Sequence, residues 1–241
     1  MSRFSFSCLV TCFAMAAATI IPAGSAMADD TERVSESSTG AEANENSFSP
    51  SVSASGRYVV FGSQATNLVP GDTNGSADVF LHDRTTGVTE RVSISTSGQQ
   101  TETSSDSAGV SRDGRYVVFL SQARNLVPGD TNDTTDVFLR DRLKRTTKRL
   151  SQRADGTDSE YPSSGAAISA NGRYIVFSAY GWLVPEDTND TDDTYLYDRV
   201  ANSLERVSLA FDGAQGNGSS GSGGVSEDGR YVTFTSLATN L

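Results

Sequence analysis

The hexapeptide Gly56-Arg57-Tyr58-Val59-Val60-Phe61 returns three times along this chain of 241 residues. Its copies begin at Gly114, Gly172 and Gly229, at spacings of 58, 58 and 57 residues. Two further blocks move in step. Arg33-Val34-Ser35 is followed by copies at Arg91, Arg149 and Arg206, and Leu68-Val69-Pro70-Gly71-Asp72-Thr73-Asn74 by copies beginning at Leu126 and Leu183. The one-residue shortening lies just before Leu183, in Ser178-Ala179-Tyr180-Gly181-Trp182. A fixed period of this kind marks an array whose units bury their hydrophobic faces against each other.

Each repeat carries four strand signals and no helical periodicity. In the second copy a small-residue strand runs through Ser107-Ala108-Gly109-Val110-Ser111. Asp113-Gly114 reads as a two-residue hairpin, because both residue types tolerate positive φ. The strand from Arg115 to Leu120 follows, with Tyr116 and Val118 on one face and Val117 and Phe119 on the other. Apolar residues on both faces mean burial on both faces. A long loop leads to Asp136-Val137-Phe138-Leu139-Arg140, and a turn around Lys144 to Thr147 leads to Lys148-Arg149-Leu150-Ser151. Four antiparallel strands per unit, stacked face to face, describe a β-propeller blade. A β-sandwich is the alternative, but it does not require three blocks at near-fixed spacing.

The expected fold is therefore all-β, with blades starting near residues 49, 107, 165 and 222. Arg33-Val34-Ser35 reads as a fourth strand with no first three before it, and the last copy reaches only its second strand before Asn240-Leu241. That is about 3.5 blades, so a partial propeller from a longer protein of roughly six or more blades is expected.

Val110-Ser111-Arg112-Asp113-Gly114-Arg115-Tyr116-Val117-Val118-Phe119, with Asp136-Val137-Phe138-Leu139, resembles the TolB-like (WD-like) β-propeller repeats of bacterial exported proteins. The resemblance runs from about Thr31 to the end. It implies the fold; for function it implies periplasmic scaffolds, peptidase propellers or secreted proteins alike.

Residues 1–28 read as a signal peptide. Arg3 is the only charge before Asp29, an apolar run spans Phe4 to Ala23, and Ala26-Met27-Ala28 is a small-x-small cleavage pattern. An uncleaved anchor is the alternative, against which Pro22, Gly24 and Ser25 break the run; Leu9-Val10-Thr11-Cys12 is a poor lipoprotein box. Cleavage removes Cys8, Cys12 and every methionine, leaving residues 29–241 with no disulfide, thiolate nucleophile or zinc–thiolate site. No later segment reads as a membrane span. A periplasmic or secreted location is expected. The formal charge of −11 excludes nucleic acid as a partner, since that affinity rests on Lys and Arg neutralising phosphates.

Three loops carry the best candidate chemistry. Asp72, Asn74, Ser76 and Asp78 alternate; so do Asp130, Asn132, Thr134 and Asp136, and Asp187, Asn189, Thr191 and Asp193. Four side-chain oxygens at this spacing resemble half of a calcium loop. No glutamate closes the set, so it is not an EF-hand. The competing reading is that these Asp and Asn side chains hydrogen-bond their own loops. Calcium is the only cofactor in view.

Asp83-Arg84, Asp141-Arg142 and Asp198-Arg199 end the third strands and recur in every blade, as structural pairs do. His82 is the sole histidine; Arg140 and Tyr197 stand at its equivalents, and it reads as a surface residue. No Gly-x-Ser-x-Gly elbow is present. Carboxylates are plentiful, but nothing selects a pair for glycoside cleavage. The glycine-rich stretch 212–224 precedes a strand rather than a helix, so it is no phosphate loop. Tyr180 and Trp182 break the repeat and read as local packing, or else as an aromatic contact for a sugar or peptide.

No catalytic residue is assigned. The expected function is a non-enzymatic binding or scaffolding propeller with a protein or glycan partner. Two alternatives stay open: the propeller of a larger prolyl-oligopeptidase-like hydrolase whose catalytic domain lies elsewhere, and a polysaccharide lyase or hydrolase.

Overall fold

The computed structural model describes residues 31–153 and 155–241; the leader expected over residues 1–28 lies outside them. Fourteen strands form four antiparallel sheets. Sheet 1 holds β1 (Ser47–Val52), β2 (Tyr58–Ser63), β3 (Asp78–Asp83) and β4 (Val88–Arg91) in chain order. Sheet 2 holds β5 (Ser105–Val110), β6 (Tyr116–Ser121), β7 (Asp136–Asp141) and β8 (Thr146–Arg149). Sheet 3 holds β9 (Ser163–Ile168), β10 (Tyr174–Tyr180), β11 (Asp192–Asp198) and β12 (Ser203–Arg206). Sheet 4 pairs β13 (Ser220–Val225) with β14 (Val232–Ser236). The sheets belong to one packed unit, Arg33–Leu241. Among the described residues no helix is long and apolar enough to cross a membrane.

The first strands β1, β5, β9 and β13 pack on one another in series, while the outer strands diverge. This is the arrangement of propeller blades around an axis. Small residues at the axis make it work. A Cβ on Gly109 would approach Ile168 Cγ2 of the next sheet to 3.2 Å, and one on Gly62 would meet the Phe48 ring at 2.6 Å. Register shifts interrupt every inner pair, between Phe48 and Ser51 in β1 and between Ser222 and Val225 in β13 for example. Such bulges bend the inner strand.

The two apolar faces of each second strand meet different neighbours. Val117 and Phe119 pack with Val60, Val79 and Leu81 of sheet 1, and Tyr116 and Val118 with Ile175 and Phe177 of sheet 3. Val59 and Phe61 face the other way, where Val34 and Ala43 cover them. Leu68, Leu126 and Leu183 are all buried, which explains the recurring Leu-Val-Pro.

Three local expectations are corrected. Asp113-Gly114 is not a two-residue hairpin: Ser111 N–H donates to Tyr116 O, so four residues turn the chain, and Asp113 accepts from Ser111 Oγ and from Arg115 N–H. The glycine is still required, because its φ is +70° and Tyr58 of the preceding sheet lies against its Cα. Arg33-Val34-Ser35 forms no strand; the first pairing in the chain is the bridge Glu36↔Glu42. His82 is 1% exposed rather than a surface residue, and its Nδ1 lies 2.9 Å from Thr89 Oγ1.

Candidate functional site

The alternating Asp and Asn residues lie where the long loop enters the third strand of each sheet. Asp78 and Asp136 open β3 and β7, Asp193 is the second residue of β11, and all three are fully buried. Each carboxylate receives the hydroxyl of the Arg-x-Ser block: Ser93 Oγ donates to Asp78 at 2.6 Å, and Ser151 and Ser208 repeat the bond. The arginine of that block spans both aspartates of its loop. Arg91 Nη1 lies 3.2 Å from Asp72 and 2.9 Å from Asp78. Arg149 Nη1 lies 2.9 Å from Asp130 and 3.2 Å from Asp136, and Arg206 Nη1 lies 3.0 Å from Asp187 and 3.4 Å from Asp193. The structure thus brings together the first and last residues of each predicted quartet, around a guanidinium rather than around a vacancy.

The middle residues build the loop. Asn74 donates to Asp78 and to Thr101 O, and its Oδ1 accepts Ser76 N–H at 3.2 Å. Asn132 and Thr134 repeat this, as do Asn189 and Thr191 with Gly216 O as the acceptor. Among the described residues no group of three or more His, Cys, Asp or Glu is placed to hold a metal ion. The geometry supports the hydrogen-bonding reading of these loops.

Sheet 2 departs from the pattern by adding Asp158, which also pairs with Arg149. Three carboxylates around one cation leave net negative charge in a dry site. Burial, then the neighbouring Asp136 and Asp158, outweighs Arg149 and pushes Asp130 up to about 6. Burial also raises Asp72, Asp136 and Asp193. In sheet 3, Tyr195 replaces the phenylalanine of Phe80 and Phe138, and its hydroxyl donates to Asp187.

At the other end of the sheets, the aspartates of the Asp-Arg pairs bond the arginine of Gly-Arg-Tyr, not their sequence neighbour. Asp83 takes both Arg57 Nε and Nη2 at 2.7 Å, and Asp141 and Asp198 do the same with Arg115 and Arg173. The Arg173 fork, chiefly, lowers Asp198 to about 2. The arginines that follow Asp141 and Asp198 cross to the preceding sheet. Arg142 lies over Tyr58 at 5.6 Å and Arg199 over Tyr116 at 3.9 Å, as cation–π pairs between blades.

Two equivalent clefts open between sheets, where first strands begin and second strands end. One lies between sheets 1 and 2, has a volume of about 450 Å³, and is lined by Gln64, Ser104, Asp106, Gln122 and Thr135. The other lies between sheets 3 and 4, has a volume of about 330 Å³, and is lined by Ser164, Asp192, Ser219 and Thr235. Neither was singled out from the sequence, since the lining comes from separate strands of two repeats. Of the aromatic candidates, Tyr180 packs edge-on against Tyr161 at 4.6 Å, and Trp182 is half exposed.

No protein-family model matches the chain, and no curated protein does. Among solved structures, TolB from Acinetobacter baumannii is similar at 17% identity and a TM-score of 0.48, over 82% of this chain and 39% of that one. A putative TolB from Agrobacterium tumefaciens is similar at 14% identity and a TM-score of 0.47, over 82% and 72%. The β-propeller domain of the trilobed protease from Pyrococcus furiosus is similar at 7% identity and a TM-score of 0.43, over 68% and 42%. The chain therefore spans about two fifths of the Acinetobacter protein. The propeller architecture stands on the chain's own four sheets.

Proposed function

We propose that this chain is an exported, non-enzymatic propeller module that binds a protein or glycan partner through its inter-blade clefts. One observation carries the reading: both clefts present side-chain hydroxyls with one carboxylate each, Asp106 or Asp192, and the cleft between sheets 1 and 2 adds the amides of Gln64 and Gln122. Such groups recognise by hydrogen bonding and suit a polyhydroxylated or peptide ligand. His82, the one residue able to activate a serine in a Ser-His-Asp triad, is buried beside Thr89 and belongs to neither cleft. The leader pattern of residues 1–28 supports export.

Calorimetric titration with neutral oligosaccharides and with unstructured peptides tests the binding, using Gln122→Ala as the cleft variant. Binding weakened by Gln122→Ala is expected; binding unaffected by it sinks the assignment of the cleft. Cell fractionation with N-terminal sequencing tests export. A mature chain starting at Asp29 is expected, and a cytoplasmic full-length chain refutes it.

A further inference from the structure

A small arch precedes each first strand, closed by the bridges Glu36↔Glu42, Ile94↔Gln100, Gln152↔Asp158 and Leu209↔Gln215. The first two arches clasp the outer strand that follows. Ser38 Oγ accepts Thr89 N–H at 2.9 Å and Thr96 Oγ1 accepts Thr147 N–H at 3.0 Å, while Thr89 and Thr147 donate their hydroxyls back to Glu36 O and Ile94 O. Beside the clasped strand lies the repeat position held by His82, Arg140 and Tyr197. His82 and Tyr197 can sit there uncharged. Arg140 cannot.

Arg140 is 5% exposed. Its Nη1 donates to Ser95 O at 3.2 Å and to Thr147 Oγ1 at 3.0 Å, and no carboxylate lies within ion-pair distance among the described residues. Arg149, buried as deeply, and the half-buried Arg91 and Arg206 each hold at least two carboxylates. Glu90 and Asp141 act on it only through space, while its direct hydrogen bonds go to neutral oxygens, so burial of the cation is costly. Burial lowers the pKa of Arg140, as that cost requires.

Arg140 lines a cavity of about 350 Å³ between the β4 edge and arch of sheet 1 and the β7–β8 turn of sheet 2. The other charged groups lining it are Glu90, Arg91, Arg142 and Arg145. Arg91 is spent on Asp72 and Asp78, and Arg142 Nε donates to Glu90 at 2.6 Å. Arg145 is exposed, makes no ion pair among the described residues, and is held at the rim by a turn with φ +57°. Among its lining side chains the pocket thus sets Arg140, Arg142 and Arg145 against the single carboxylate Glu90, on a chain of net charge −11.

We infer that this pocket is an anion site, taking a single oxyanionic group of a small ligand against Arg140 and Arg145. A planar guanidinium fork suits carboxylate, sulfate and phosphate oxygens alike. An extended polyanion is excluded by the acidic surroundings, whereas one anionic group inside the pocket is not, because charges beyond about 10 Å are screened. The site is independent of the polar clefts and of any ligand they take.

The test is calorimetric titration of the full chain with sodium sulfate, sodium phosphate and sodium acetate at ionic strength fixed with chloride. Saturable binding of at least one is expected, and which one separates a tetrahedral oxyanion from a carboxylate. Arg145→Gln should weaken it about fivefold and Arg140→Gln about tenfold or more, as loss of charged hydrogen bonds does. Glu90→Gln, which releases Arg142 into the pocket without touching the core, should tighten it about tenfold on the same scale. Arg112→Gln, on a distant exposed turn, should leave it unchanged. No saturable binding of any anion overturns the inference, and so does equal affinity in wild type, Arg145→Gln and Glu90→Gln. If Arg140→Gln fails to fold, the last two variants still decide.

Discussion

Gly56 and Gly114 occupy the same turn with φ of +73° and +70°, yet they face different surroundings. A Cβ on Gly56 would meet nothing within 4 Å, whereas one on Gly114 would lie 2.6 Å from the Tyr58 ring. Gly56→Ala should therefore cost only the left-handed backbone strain of an L-residue, about 1–2 kcal/mol. Gly114→Ala carries the same strain plus overpacking of about 1–3 kcal/mol, because real Cβ atoms do not approach a ring so closely. The ring has nowhere to go, since Arg57 and Arg142 flank it at 4.9 and 5.6 Å. Tyr58→Ala removes the obstacle, so on that background Gly114→Ala should cost no more than Gly56→Ala. The measurement is denaturant unfolding of the four variants at 25 °C, read as midpoints at unchanged m. Equal losses for Gly56→Ala and Gly114→Ala, or no coupling between Tyr58 and Gly114, would refute the claim that the glycine packs one blade on the next.

Four further outcomes follow from the buried charges and the arches. Asp130, with a folded pKa of about 6, binds a proton that the unfolded chain releases near pH 4. Its contribution to stability therefore grows as pH falls through 6 toward 4, and Asp130→Asn should flatten the pH profile of melting temperature across that window. Arg91→Met leaves Asp72 and Asp78 unpaired and should cost about 3 kcal/mol in a denaturant titration; millimolar calcium should leave the wild-type melting temperature unchanged, because Arg91 already holds both carboxylates. Thr147→Val removes the hydroxyl given to Ile94 O and should cost about 1 kcal/mol, with faster amide exchange in the arch at residues 94–100.

The period, the strand count per unit and the double-faced second strand were legible because they are local: Tyr116 to Phe119 carry both faces in four consecutive residues. The partner of each aspartate quartet was not read, although the signal was present. Arg91, Arg149 and Arg206 move in step with Asp78, Asp136 and Asp193, at separations of 13 residues. Three basic residues recurring at a fixed distance from three pairs of acids are a contact map in one dimension. Arginines of the chain itself meet the first and last aspartates of each quartet. His82 was misplaced for a different reason. Its hydrogen-bond partner Thr89 is clasped by Ser38 Oγ and Glu36 O of the arch that precedes sheet 1, some fifty residues away in sequence, a pairing that local pattern does not record.

In a repeat array, recurrence and departure report on different selections. The Asp–Arg–Ser cluster, the Arg–Asp fork and the glycine under the tyrosine recur because each blade must solve the same packing problem against the next. A binding site needs no repetition, so it is sought where one blade breaks the rule. His82, Arg140 and Tyr197 share one place in the fold and have nothing chemical in common; only Arg140 adds a fixed charge, and it makes no ion pair among the described residues. Packing alone does not call for a fixed charge there. A bound anion would answer the desolvation that sheet 2 bears, and that makes the gap between the first two blades the place to look for it.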